Sequence, residues 1–140
     1  MKNIYLLDTN IICEVAKPEP SENIVTNLEL YSRNCAISSI TWYELLNGAA
    51  LLKDGKRKRE LLTFLIDYVQ PSFEILPYDE HAAFMNSEIT KQLKPIGLPT
   101  PILDTQIASV AKANNLIMVT KNIKDFKAFQ EHCSLMLEEW

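Results

Sequence analysis

Short, mostly apolar runs recur along the chain, separated by longer stretches with helical periodicity, and this alternation constrains the fold more than any other feature. The runs are Ile4-Tyr5-Leu6-Leu7, Cys35-Ala36-Ile37, Phe73-Glu74-Ile75-Leu76 and Leu116-Ile117-Met118-Val119, with a weaker fifth at Leu135-Met136-Leu137. Runs this short and this apolar are expected of strands covered on both faces. Helices are expected at Ser21–Tyr31, Ile40–Lys53, Arg57–Val69 (stopped by Pro71), Asp79–Leu93 and from Thr100-Pro101 to about Asn114. Ser21 and Asp79 are suited to cap theirs. Strands alternating with helices imply parallel βα units. The expected class is α/β: a three-layer sandwich with a central parallel sheet of about five strands flanked by helices. A crevice for ligands then lies beyond the C-terminal ends of the strands, near the switch in strand order.

A chain of 140 residues without repeats or low-complexity stretches is expected to form one domain, 1–140. No apolar run approaches the ~20 residues of a membrane span, and Met1-Lys2-Asn3-Ile4 lacks the features of a signal peptide. The expected location is cytoplasmic. Cys13, Cys35 and Cys133 form neither a disulfide framework nor a zinc spacing, and all three are expected to be buried. His81 and His132 are the only histidines and make no HxxxH pattern, which argues against a histidine metal site or a Ser-His-Asp triad.

Acidic residues fall where the crevice should be. Asp8 directly follows the first strand, where it could equally cap the turn before Ile11-Ile12. Glu44 shares a helical face with Ile40, Thr41, Gly48, Leu51 and Leu52, an apolar setting for a carboxylate. Such a group needs a partner, either a metal or a buried Arg or Lys. Gly48 is costly in a helix, and close packing would account for it. Asp104 stands near a helix start, where either Thr100 or Asp104 itself could be the cap. Asp125 lies in Thr120-Lys121-Asn122-Ile123-Lys124-Asp125-Phe126, expected as a polar loop past the fourth strand. Oxygen ligands of this kind suit hard divalent cations.

Net charge is −4, from 18 acids against 14 bases. Setting four clustered carboxylates aside leaves a balanced molecule, so acidity does not exclude a nucleic-acid substrate. The basic run Lys56-Arg57-Lys58-Arg59 fits a solvated helix start better than a phosphate grip. Trp42, Tyr43 and Phe126 are expected in the core.

Leu6-Leu7-Asp8-Thr9-Asn10, Ser38-Ser39-Ile40-Thr41-Trp42-Tyr43-Glu44-Leu45, Asp104-Thr105-Gln106-Ile107-Ala108 and Val119-Thr120-Lys121-Asn122 with Asp125-Phe126 together resemble the PIN-domain nucleases. The resemblance is to VapC-type toxins of bacterial toxin–antitoxin pairs, and it extends over essentially the whole chain, including Leu137-Glu138-Glu139-Trp140. It implies a PIN-like fold, Mg²⁺ (or Mn²⁺) dependence and hydrolysis of RNA phosphodiesters. By position, Asp8, Glu44, Asp104 and Asp125 match the acidic metal ligands, and Thr120 and Asn122 match supporting polar residues. A homodimer and a cognate antitoxin are implied as well. Asp8 and Asp104 are expected to hold the principal metal, Glu44 to complete its shell or act as general base, and Asp125 to orient a second metal. Clustered carboxylates repel, so without metal at least one should have a raised pKa. Two other readings compete. One is a catalytically silent PIN-fold binding module. The other is a haloacid-dehalogenase-like phosphatase, which needs a second Asp two residues after the first, where this chain has Asn10.

Overall fold

The computed structural model describes residues 2–140. Strands β1 (Tyr5–Leu7), β2 (Cys35–Ser38), β3 (Glu74–Leu76), β4 (Ile117–Thr120) and β5 (Leu137–Glu139) form one sheet in the order β3-β2-β1-β4-β5. Every neighbouring pair is parallel. The chain builds outward from β1 through β2 to β3, then returns to the other side of β1 for β4 and β5. The switch in strand order therefore falls between β1 and β4.

The strands are buried on both faces because adjacent residues in each are apolar. Leu6, Ala36 and Met118 face one layer, made by α5 (Glu80–Leu93), α6 (Ile102–Ala113) and α7 (Ile123–Cys133). Leu7, Ile37 and Val119 face the other, made by α1 (Thr9–Val15), α2 (Glu22–Tyr31), α3 (Ser39–Ala50) and α4 (Lys56–Phe64). Covering a side chain such as Leu6 or Leu7 is worth about 1.5–3 kcal/mol each. The three-layer sandwich is thus the one expected from the alternation of runs. No helix is long and apolar enough to cross a membrane among the described residues.

Ser21 and Asp79 cap α2 and α5 as expected, accepting from the backbone N–H of Ile24 and Ala82. Ser38 caps α3 by accepting from Thr41 N. Other expectations require correction. Residues 9–15 form a helix, with Asp8 as its N-cap. The segment expected as a loop around Asp125 is the first turn of α7. Pro71 does not stop the helix before it. A π-helical turn at Leu65–Val69 leads into a further turn at Gln70–Ser72 that contains the proline. A proline ring clashes with the carbonyl four residues back in a regular α-helix, and the wider π turn relieves that crowding. The fifth strand lies at Leu137–Glu139, two residues later than expected, because Leu135 is spent on the core after α7. Cys35 and Cys133 are buried as expected, but Cys13 is exposed. Phe126 is core, whereas Tyr43 is exposed.

Candidate active site

The C-terminal ends of β1 and β4 carry the centre of the site. Asp8 N donates to Val119 O at 2.8 Å, which continues the β1–β4 ladder by one residue and fixes the Asp8 backbone at the switch point. Its carboxylate then does two jobs. Oδ1 accepts from Thr9 N at 2.8 Å and caps α1, while Oδ2 accepts from Thr120 Oγ1 at 2.9 Å. The capping reading of Asp8 is correct, and the residue stands at the C-terminal end of β1, at the switch in strand order.

Thr120 is wholly buried at the end of β4. Its hydroxyl accepts from Asn10 Nδ2 at 3.2 Å and from Asn122 N at 3.0 Å. Both donors lack an alternative role there, so the hydroxyl hydrogen is directed at Asp8. Asn122 supports the site through its backbone; its side chain makes no cap bond to α7.

Glu44 comes from the first half of α3 and is half-buried. Its Oε1 accepts from Thr9 Oγ1 at 2.6 Å, and that hydroxyl lies 3.1 Å from Thr41 Oγ1. The partner of this carboxylate is therefore a hydroxyl, and no ion pair engages it among the described residues. Its helical face is also less apolar in place than in sequence: Leu51 is 78% exposed. Gly48 is exposed, and a Cβ there would meet nothing within 4 Å, so close packing is not its reason.

Asp104 sits in the first turn of α6, half-buried. Neither Thr100 nor Asp104 caps the helix. Pro101 stands at the N-cap position, and its carbonyl accepts from the N–H and hydroxyl of Thr105. Capping therefore does not account for Asp104. Asp125 opens α7 and is exposed, the most peripheral of the four.

Electrostatics tie these groups together. Burial pushes the Asp8 carboxyl up to about 6; the hydrogen bonds from Thr120 and Thr9 oppose the rise, and the charges of Asp104 and Glu44 add to it. Burial also raises Asp104, with Asp125 and Glu44 contributing. The expected rise is present, but burial is its larger cause and mutual repulsion the smaller one.

The chain as a whole has counterparts among known proteins. The PIN domain family model matches residues 5–131. The chain belongs to the PIN domain family. Ribonuclease VapC2 of Rickettsia felis is 37% identical to it over 139 residues, covering 98% of each chain. Toxin FitB of Neisseria gonorrhoeae is 37% identical over 128 residues, 89% of this PIN domain chain and 92% of its own. The crystal structure of VapBC2 from Rickettsia felis, bound to a DNA fragment from their promoter, superposes with a TM-score of 0.82 at 34% identity over 98% of both chains.

Within this PIN domain, sequence patterns passed over Thr9, Thr41 and Asn10. Thr9 orients Glu44, and Asn10 holds Thr120 and the Lys121 backbone. Their signal was the position of Thr9 and Asn10 in the first turn of a helix capped by Asp8. Asn10, where a phosphatase of the other class would need an acid, is engaged in structure instead.

The donors fit a hard divalent ion. All are carboxylate or hydroxyl oxygens, and burial, with a smaller contribution from the neighbouring acids, raises the pKa of two of the carboxylates. No three His, Cys, Asp or Glu side chains close into a cage among the described residues. Mg²⁺ does not require one, since it usually keeps several waters and takes one or two carboxylates plus substrate phosphate.

Proposed function

We propose that this chain is a divalent-metal-dependent endoribonuclease and the toxin half of a toxin–antitoxin pair, its 140 residues acting as one nuclease domain. The observation that carries the reading is the buried Asp8 at the β1–β4 switch point, raised to about 6 and electrostatically coupled to Glu44 and Asp104. The names of the relatives, ribonuclease VapC2 and toxin FitB, support it, as does the VapBC2 complex for a protein antitoxin partner. The active form in this reading is a homodimer.

Asp8 and Asp104 are the residues that would hold Mg²⁺ (or Mn²⁺), with Glu44 and Asp125 beside them. The ion, when bound, lowers the pKa of a water and neutralises charge on the phosphate oxygens. The chain supplies orientation. Thr120 and Thr9 fix the two Asp8 oxygens, so the carboxylate does not rotate as substrate enters. Thr9 holds one oxygen of Glu44 and leaves Oε2 to accept a proton from the attacking water. Asp125, exposed at the rim, meets the substrate side of the crevice.

The test is cleavage of a single-stranded RNA by purified protein in Mg²⁺, in EDTA, and in EDTA followed by excess Mg²⁺. Cleavage is expected in the first and third and at background in the second. Cleavage indifferent to EDTA would overturn the metal assignment, and intact RNA throughout would favour a binding module.

A further inference from the structure

Glu14 lies one turn past Asn10 on α1, so both face the same way. It is a carboxylate only 7% exposed, yet it belongs to none of the acidic group above. Its Oε1 accepts from Ser21 N, at the cap of α2, at 3.2 Å. Its Oε2 lies 2.7 Å from Lys17 Nζ and 2.7 Å from Lys121 Nζ. Lys121 is thus gripped twice by one helix: Glu14 takes the side chain, and Asn10 Oδ1 accepts from the backbone N–H at 3.2 Å. The residue so gripped stands between Thr120, whose hydroxyl holds Asp8, and Asn122, whose N–H holds that hydroxyl. The helix carrying Asp125 starts immediately after.

We propose that Glu14 and Lys121 are positioning residues of the nuclease: an ion-pair clamp from α1 that fixes the Thr120–Asn122 turn against Asp8. Burying a carboxylate is costly unless it is paired and hydrogen-bonded, and this one is held by three donors from three parts of the chain. A lysine at a crevice rim would ordinarily stay free to meet a phosphate. Here its ammonium is turned back onto the helix that Asp8 caps. The proposal rests on the ribonuclease reading, and it predicts loss of turnover without loss of RNA affinity.

The experiment uses the full chain with a short labelled single-stranded RNA in Mg²⁺, comparing wild type, Lys121→Met, Lys121→Arg, Glu14→Gln and the Glu14→Gln/Lys121→Met pair. Lys121→Met leaves Lys17 on Glu14, so no carboxylate is orphaned. Displacing a positioned group by about an ångström costs up to about 10²-fold. Lys121→Met and Glu14→Gln are expected to lower kcat about 10-fold or more, with KM and the salt slope of RNA binding unchanged. The double variant is expected to be no worse than the single ones, and Lys121→Arg to recover most of kcat. Amide exchange at Lys121 and Asn122, followed without RNA or metal, is expected to quicken in both single variants. If Lys121→Met instead keeps kcat, raises KM and lowers the salt slope by about one, Lys121 is a phosphate contact and the clamp is wrong. Unchanged amide exchange also overturns it. A wild type that leaves RNA intact would defeat the ribonuclease reading, while the exchange measurement would still decide the clamp.

Discussion

Replacing Asp8 by asparagine is expected to abolish at least about 10³-fold of the RNA cleavage and, at neutral pH, to make the metal-free protein more stable than wild type. The first effect follows from removing the central carboxylate of the site. The second follows from its burial. The Asp8 carboxyl stands at about 6 in the fold against an ordinary 3.8, so ionising it in place costs roughly 3 kcal/mol at 1.36 kcal/mol per pKa unit. The sign is that of an acid whose folded pKa is raised. Below the ordinary value both states are neutral and no penalty exists. As pH rises toward 6 the unfolded chain loses its proton first, and stability falls. Above about 6 the penalty is complete. Asparagine carries no such penalty. It does point an amide at the Thr120 hydroxyl, which offsets about 1 kcal/mol of the gain. The expected net gain is about 1–2 kcal/mol, or a rise in Tm of roughly 3–8 °C. Melting curves at pH 7.5 and pH 4 in EDTA test this. The advantage should be present at the first pH and absent at the second. An Asp8→Asn protein that cleaves RNA normally, or one that is less stable at both pH values, would contradict the account.

Thr120→Val is the second large effect. Valine keeps the shape of the side chain and removes one hydroxyl that serves three partners, namely Asp8, Asn10 and Asn122. Asn10 is half-buried and Asn122 exposed, so water replaces part of what they lose. Asp8 has no such recourse. An unsatisfied buried group costs about 1–3 kcal/mol, so a loss of about 2–3 kcal/mol is expected in urea unfolding. Removing a partner that orients a metal ligand typically costs about 10–100-fold in activity or metal affinity, and a kcat loss of that size is expected. Losing the bond that lowers the Asp8 pKa should also move the acidic limb of the pH–rate profile upward. Thr120→Ser, which restores the hydroxyl, should recover most of both losses. A valine variant with wild-type stability and rate would show that Asp8 needs no orienting partner.

How much was legible beforehand differs from element to element. The sheet was readable because both-face burial forces unbroken apolar runs, and Leu6-Leu7 and Met118-Val119 cannot be amphipathic strands. Helices α2 and α5 were readable because Ser21 and Asp79 mark their starts. Helix α1 was missed because seven residues are too few to display a period, and α7 because its start follows the polar Thr120-Lys121-Asn122 without a side-chain cap to mark it. The same omissions obscured the site. Thr9, Asn10 and Glu14 acquire meaning only once a helix sets them on Glu44, Thr120 and Lys121. Asp8 was visible because the end of a central parallel strand is a place rather than a pattern. Asp104 was visible as an acid at a helix start, but that Pro101 and not Asp104 or Thr100 takes the cap position was not legible.

The bond between Thr120 and Asp8 spans 112 residues of chain, and this bears on when activity can arise. Domains form from the N-terminus during synthesis, and Asp8, Glu44 and Asp104 all leave the ribosome before the strand that orients the first of them. A growing chain that stops short of β4 has Asp8, Glu44 and Asp104 but no Asp125, no β1–β4 ladder and no hydroxyl on Asp8. The assembled centre requires the chain through β4, so a chain cut before Ile117 is expected to leave RNA intact. Slow, long-range strand pairing, ordinarily a burden in folding, therefore sets the earliest point at which this centre can form.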